Sequence, residues 1–186
     1  MGVRRKFIRD LTEKLLAAHC ADGAPVDVAA IAQHYGIEIK LERVDDDLSG
    51  FLYRDDSGVA IIGANRNHHE NRRRFTIAHE LGHFLLHEAE RVHLDSRTSG
   101  YALQLRSPES ATGENVNERE ANLFAAEILM PAKLLAKDLR ASGSVDLLDD
   151  EEQAHKLLTN LAKKYKVSVQ AVTIRLNNLG YIHHEA

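Results

Sequence analysis

Residues 74–87 of the chain read RFTIAHELGHFLLH and contain the pattern HExxH, which includes His79, Glu80 and His83. On an α-helix the two histidines lie about 40° apart around the axis and about 6 Å apart along it, so both imidazoles can bind one metal ion. Glu80 is turned by about 100° from His79 and can take a proton from a water molecule on that ion. Zinc lowers the pKa of such a water to about 7. The stretch therefore predicts a helix with two zinc ligands, His79 and His83, and a catalytic base, Glu80.

The pattern alone is short enough to arise by chance. The chain has 11 His in 186 residues, and random placement would produce HExxH somewhere with a chance of roughly one in twenty. The alternative interpretation is that His79 and His83 are hydrogen-bonded polar residues on a buried helix. A third ligand in a suitable place would favour the metal site.

The third ligand is predicted in residues 117–130, NEREANLFAAEILM, where the spacing of apolar residues is typical of a helix. On the helical wheel Glu118 shares a face with Asn122 and Leu129 to within about 40°, whereas Glu120 points to the opposite side. A carboxylate on a buried face is costly unless it is paired or binds a metal. We therefore predict Glu118 as the third ligand and Glu120 as a surface or capping residue. Asn122 either hydrogen-bonds a ligating histidine from behind or fills a gap in the core.

Other side chains near the pattern are given no place in the metal site. His87 continues the four-residue spacing, but it lies about 12 Å along the helix from His79 and cannot share the ion. We interpret it as a flanking or loop-anchoring residue. Four more side chains could stabilise an oxyanion if they reached the site, but we expect them on the surface: His68, His69, His93 and Tyr101.

The spacing of apolar residues predicts an α+β fold around this helix. The motif helix is predicted to open with a capping box of Asn67 and Glu70 and to run to about Glu90. Residues 91–113 lack periodicity and are interpreted as a loop, after which Asn115 or Asn117 caps the next helix. Strands are predicted at residues 37–41, 51–54 and 59–64, and further helices at 3–19, 27–35 and 132–139.

The C-terminal part of the sequence has the pattern of a helix-turn-helix. Residues 141–152 are interpreted as an acidic linker between a domain at 1–140 and a C-terminal module at 153–186, with helices at 154–165 and 168–179. The second helix offers Gln170, Thr173, Arg175 and Asn177 to DNA. Five basic and three acidic side chains from residue 151 onward are a weak footprint for phosphate binding. The module can equally be a packing unit, and direct DNA binding is the less favoured interpretation.

Composition indicates a globular chain with one main core, because 44% of residues are hydrophobic and 28% are charged. Cys20 is the single cysteine, which excludes an internal disulfide. No signal-peptide pattern and no long apolar run is present, so we predict a cytoplasmic protein without membrane contact. The net charge of -4 gives no general attraction to nucleic acid.

RFTIAHELGHFLLH together with EREANLFAAEILMP, residues 118–131, resembles the ImmA/IrrE family of metallopeptidases, and the resemblance is best over residues 26–135. It implies a small zincin-like, gluzincin-type fold, with a three-stranded sheet packed against the active-site helix and zinc between the two motif helices. It also implies His79, His83 and Glu118 as ligands and Glu80 as the base.

Members of that family cleave or otherwise inactivate helix-turn-helix repressors of phages, mobile elements and stress or toxin-antitoxin systems. The resemblance thus implies a protein substrate of this kind. Residues 1–60 show no DNA-binding module, so the repressor is expected to be a separate chain. Two alternatives stay open: a DNA-binding regulator, and a repressor-binding protein without proteolysis, each with a structural or sensory zinc. The presence of Glu80 argues against a purely structural site.

Overall fold

The structure, a computed structural model, describes residues 2–19, 23–45, 47–88, 91–96, 116–142 and 151–182. These residues form an α+β fold, as the sequence predicts. In chain order the elements are α1 (Arg5–Ala18), α2 (Val28–His34), β1 (Ile37–Glu42), β2 (Leu48–Arg54), β3 (Ala60–Asn65), α3 (Glu70–Leu86), β4 (Val92–Ser96), α4 (Val116–Leu129), α5 (Ala132–Ala141), α6 (Glu151–Tyr165) and α7 (Val169–Asn178). Within this part of the chain, no helix combines the length and apolar character that a membrane crossing requires.

The sheet has four strands in the order β1-β3-β2-β4, so the prediction of three strands was one short. β1 pairs parallel with β3, and β2 pairs antiparallel with both β3 and β4. β4 occupies part of the segment that was predicted to be a loop. Its side chains alternate, but the apolar ones face outward. Val92 and Leu94 are 60% and 62% exposed, whereas His93 and Asp95 are partly buried. An alternating pattern normally indicates that the apolar residues face the core, so it assigns His93 and Asp95 to the wrong side of this strand. Residues 97–113 of the predicted loop, with Tyr101, lie outside the described residues.

Helix α3 packs closely against the sheet. It begins later than predicted and ends earlier. A Cβ atom built on Gly50 of β2 would lie 2.3 Å from Cγ2 of Thr76, so the glycine allows the helix to approach. His69, not Asn67, is the N-cap, because its Nδ1 accepts from the backbone N–H of Asn71 at 3.2 Å. Asn67 instead donates its backbone N–H to Oδ1 of Asn65 at the end of β3. The helix ends at Leu86, so its predicted continuation to about Glu90 was wrong.

The core lies between the sheet and the helices α3 and α4. Leu52 and Ile62 from the sheet, Leu81 from α3 and Phe124 from α4 are all fully buried within it. α1 packs on the outer side of α4. Because α3 is covered by the sheet on one side and by α4 on the other, ten of its residues are buried. The HExxH stretch therefore lies in the middle of the protein.

The C-terminal helices α6 and α7 lie close to the predicted bounds of 154–165 and 168–179, and the charged side chain of Arg175 faces inward. Arg175 of α7 is only 4% exposed, and its Nη1 and Nη2 donate to Glu127 of α4 at 3.0 and 2.6 Å. Its Nε donates to the carbonyl of Met130 at 3.1 Å. The sequence interpretation that offered Arg175 to DNA was wrong, since a buried arginine with these partners is unavailable to phosphate. The predicted linker falls largely on residues 143–150, outside the described residues, and α6 begins at Glu151.

Candidate metal centre

A close approach of α3 and α4 creates the site. A Cβ atom built on Gly82 would lie 3.1 Å from Cα of Ala121 and 3.2 Å from Cδ1 of Phe124. The glycine inside HELGH therefore lets the two helix backbones pack nearly in contact, while His79 and His83 lie one turn apart on the side that faces α4. Glu118, in the first turn of α4, meets them there.

Four side chains bring one donor atom each to a common point, and we call them the donor cluster: His79, His83, His93 and Glu118. The Nε2 atoms of His79 and His83 are 3.1 Å apart. The carboxylate of Glu118 lies 3.4 Å from Nε2 of His79 and 3.2 Å from Nε2 of His83. The structure thus brings the three ligands predicted from the sequence together, and all four donor atoms lie within 4.8 Å of one another.

These separations fit a tetrahedral metal ion. Nitrogen and oxygen ligands at about 2.0–2.2 Å from zinc are separated from each other by about 3.3–3.6 Å in a tetrahedron. The contacts among His79, His83 and the two carboxylate oxygens of Glu118 measure 3.1–3.4 Å, and all four donor atoms of the cluster lie within 4.8 Å of one another. Imidazole and carboxylate are also the donors that divalent transition metals prefer in proteins. The donor cluster can therefore hold a metal ion.

His93 was expected on the surface, and this expectation was wrong. β4 turns its side chain inward, where its ring stacks on that of His83 with centroids 3.7 Å apart and planes inclined by 19°. Its Nε2 lies 3.4 Å from Oε1 of Glu118. His68 is buried as well, whereas His69 is the exposed N-cap of α3. The sequence signal for His93 was its place in β4, a strand that turns its polar residues inward and its apolar residues outward.

Glu80 lies beside the donor cluster with its carboxylate completely buried. Its Oε1 is 4.0 Å from Nε2 of His93. Glu80 therefore borders the donor cluster on the side of His93. Removing the charge of a carboxylate from water is costly, so burial favours the neutral form of such a group.

Asn122 contacts the rear of His79. Its Oδ1 lies 3.0 Å from Nδ1 of His79, and both side chains are buried. The amide oxygen can only accept, so Nδ1 of His79 donates, and Nε2 is left with its lone pair toward the donor cluster. This is the tautomer that a metal ligand needs. The contact matches the hydrogen bond predicted for Asn122.

Glu118 is an anion in this environment. Burial opposes its ionisation, but the adjacent imidazoles of His79 and His83 outweigh that effect and hold the pKa of the Glu118 carboxyl far below its usual range. Burial raises the pKa of the neighbouring Asp95 carboxyl on β4. The site therefore offers one firmly ionised carboxylate as a ligand.

Glu120 was expected at the surface or as a cap, and this prediction was wrong because α1 covers its side of α4. Arg4 donates to Glu120 through its backbone N–H at 2.8 Å and through Nη2 at 2.5 Å. Burial opposes ionisation, but these hydrogen bonds lower the pKa of Glu120 to about 2. His87 is also buried, with Nε2 3.3 Å from Oε2 of Glu120 and Nδ1 3.2 Å from Nδ1 of His83. It therefore flanks the donor cluster, which is the first of the two interpretations of this residue.

An α+β scaffold with a histidine-glutamate donor cluster between two packed helices, and a buried glutamate next to the first histidine, is compatible with the zincin-like fold of metallopeptidases. The model of the Peptidase_M78 family, described as the IrrE N-terminal-like domain, matches residues 32–177, and the chain belongs to this family. The family confirms the resemblance to ImmA/IrrE metallopeptidases. None of the curated proteins matches the chain.

Proposed function

We propose that this protein is a zinc-dependent endopeptidase that cleaves a separately encoded helix-turn-helix repressor or antitoxin-like regulator, in a phage, mobile-element or stress-response circuit of the cytoplasm. The observation that carries the enzymatic part is the buried carboxylate of Glu80 at the edge of the donor cluster. The substrate class rests on the family's known targets. Family membership and the donor cluster together support a metallopeptidase.

Zinc is the proposed ion, held by His79, His83 and Glu118. A set of neutral imidazoles with one carboxylate suits zinc, whereas magnesium and calcium take oxygen ligands. Zinc, when bound, polarises the scissile carbonyl and makes a water acidic enough to attack at neutral pH. A catalytic site of this kind has three protein ligands and keeps one position for water or substrate. We therefore assign His93 to the substrate instead of the ion.

Each remaining residue then has a separate task. Glu80 accepts the proton of the attacking water and passes it to the leaving peptide nitrogen, and general acid-base catalysis of this kind contributes about 10²–10⁴-fold to a rate. His93 donates a hydrogen bond from Nε2 to the carbonyl oxygen as negative charge develops on it. Asn122 keeps His79 in the tautomer with a free Nε2. Full burial of Glu80 strengthens these electrostatic contacts, because the local dielectric is low.

The sheet supports a peptide as substrate. β4 lies at one end of the strand order and pairs with β2 on one side. An extended peptide that added to the other side of β4 would pass the donor cluster, because β4 carries His93 into it. The exposed Val92 and Leu94 would then contact the side chains of the peptide.

The rival functions have less support. A DNA-binding regulator would need basic residues on the second helix of the C-terminal pair, but Arg175 is buried against Glu127. A non-proteolytic repressor-binding protein with a structural zinc would have no use for a buried carboxylate beside the ion. Cleavage of a protein is the function that uses every residue of the site.

The test is co-expression of the protein with the helix-turn-helix repressor encoded nearest to its gene, followed by mass spectrometry of the repressor. We expect defined fragments with the wild type, and none with Glu80→Gln, which removes the base but keeps the volume. Both proteins should contain one zinc per chain. Cleavage that persists in Glu80→Gln would contradict the mechanism, and loss of repressor function without fragments would favour the non-proteolytic binder.

A further inference from the structure

A continuous series of side chains connects the donor cluster with the segment before α1. Nδ1 of His83 lies 3.2 Å from Nδ1 of His87, and Nε2 of His87 lies 3.3 Å from Oε2 of Glu120. Glu120 accepts hydrogen bonds from Nε of Arg4 at 3.0 Å and from its Nη2 at 2.5 Å. His83, His87 and Glu120 are buried, whereas the side chain of Arg4 is 47% exposed.

Only one arrangement of protons satisfies this series when Nε2 of His83 binds a metal ion. A neutral imidazole that ligates through Nε2 carries its proton on Nδ1 and donates it to Nδ1 of His87. His87, which accepts at Nδ1, then carries its own proton on Nε2 and donates it to the carboxylate of Glu120. Arg4 supplies the positive charge opposite that carboxylate. Each ring in the series therefore has a defined orientation and tautomer.

We propose that His87, Glu120 and Arg4 are positioning residues for His83, which fix its ring and its tautomer and so make zinc affinity depend on the segment before α1. This inference rests on the metal site of the proposed function. Hydrogen-bond partners of a ligating histidine typically change metal affinity by about 10–100-fold when they are removed. His79 has such a partner in Asn122, and the series gives His83 the equivalent support.

Arg4, directly before α1, also contacts α3 and α4, the two helices that carry the proposed ligands. Besides Glu120, its Nη2 donates to the backbone carbonyl of Leu86 at 3.2 Å, at the end of α3. The arginine thus joins the start of α1 to both helices that carry the ligands. An ion pair that only stabilises helix packing would make the same contacts. The test therefore has to distinguish a loss of stability from a change in the orientation or tautomer of His83.

The chain offers a matched control on the same helix. Glu127 of α4 also forms a buried ion pair with an arginine, Arg175, but that pair connects α4 to α7. Breaking it should destabilise the protein without reaching His83. Glu120→Gln and Glu127→Gln are therefore the same substitution in two similar pairs, and only the first belongs to the series.

The experiment measures Zn²⁺ affinity of the full chain by competition with a chromogenic chelator, and the visible absorption spectrum of the Co²⁺-loaded protein. We expect His87→Phe and Glu120→Gln to lower Zn²⁺ affinity by about 10–100-fold and to shift the Co²⁺ bands. Glu127→Gln should leave both unchanged. His87→Gln should recover most of the affinity, because its amide carries an acceptor and a donor on one shared carbon, as neutral imidazole does.

Unchanged Zn²⁺ affinity and Co²⁺ spectrum in Glu120→Gln and His87→Phe would overturn the inference and leave the series a packing feature. An equal loss of affinity in Glu127→Gln would also overturn it, since general destabilisation would then explain the effect. A wild type that binds no Zn²⁺ would overturn the proposed function together with the inference. A wild type that binds Zn²⁺ normally and cleaves no repressor would overturn the proteolytic function alone.

Discussion

Nε2 of His93 on β4 lies 4.0 Å from Oε1 of Glu80 on α3. The imidazole thus lies between the proposed base and Glu118, whose Oε1 is 3.4 Å from the same nitrogen. We expect His93→Ala to lower kcat for repressor cleavage by about 10²–10³-fold, the usual effect of removing one donor to a developing oxyanion. Zinc content should stay at one per chain, as measured by metal analysis of the purified variant.

The control for His93→Ala is His155→Ala, which changes an exposed histidine of α6. It should leave both kcat and zinc content at the wild-type values. Loss of zinc together with activity in His93→Ala would mean that His93 is a fourth ligand, and the assignment to the substrate would be wrong.

The packing of α3 on α4 at Gly82 leads to a second prediction. Because Cα of Ala121 lies 3.1 Å from the position of an added Cβ, a larger side chain must push the helices apart. We expect Gly82→Val to lower the free energy of unfolding by about 1–3 kcal/mol and to weaken zinc binding, since His79 and His83 would move away from Glu118. Denaturant unfolding and chelator competition measure the two effects. Wild-type zinc affinity in this variant would show that the close approach is not needed for the site.

The main features of the site follow from local sequence rules. The four-residue spacing of His79 and His83 and the helical wheel that separates Glu118 from Glu120 depend only on helix geometry. The structure brings the three ligands to one point. The helices and the first three strands were also predicted close to their observed bounds from the pattern of apolar residues and turns.

The remaining parts of the site depend on contacts between distant segments. Arg4 and Glu120 are 116 residues apart in sequence, so a wheel drawn for α4 alone places Glu120 in solvent. The burial of Glu127 is also unpredictable from α4 alone, because its partner Arg175 lies on the C-terminal helix α7. His93 was missed because β4 exposes Val92 and Leu94 and turns its polar residues inward, toward the donor cluster. Such an inversion makes sense only once the position of the site is known.

The buried pair of Arg175 and Glu127 leads to a third prediction. Removing one partner of a buried ion pair typically costs about 3–5 kcal/mol, and Glu127 would keep only the longer contact of 3.8 Å with Nε of Arg9. We expect Arg175→Met to lower the free energy of unfolding by that amount, and the double substitution Arg175→Met with Glu127→Leu to recover most of it. Denaturant unfolding measures the stability of both. If Arg175→Met were neutral for stability and instead abolished binding to a DNA fragment, the DNA-binding interpretation would regain its support.

Metal removal gives the fourth prediction. A ligand that binds only the folded state stabilises it, by about 4 kcal/mol when present at a thousandfold excess over its Kd. For a protein of this size each kcal/mol changes Tm by about 2–4 °C, so chelation should lower Tm by roughly 10 °C, and Zn²⁺ should restore it. Mg²⁺ should have no effect, because the donor cluster is mainly nitrogen.

Differential scanning calorimetry can measure this change in matched variants. The Zn²⁺-dependent rise in Tm should disappear in His83→Ala, which removes a ligand, and persist in His155→Ala. The metal-free protein should still unfold cooperatively, because the core residues Leu52, Ile62, Leu81 and Phe124 are buried by packing of the sheet against α3 and α4. Equal Tm values with and without Zn²⁺ would mean that the donor cluster does not bind zinc, and the hydrolytic mechanism proposed for Glu80 would have no metal to act with.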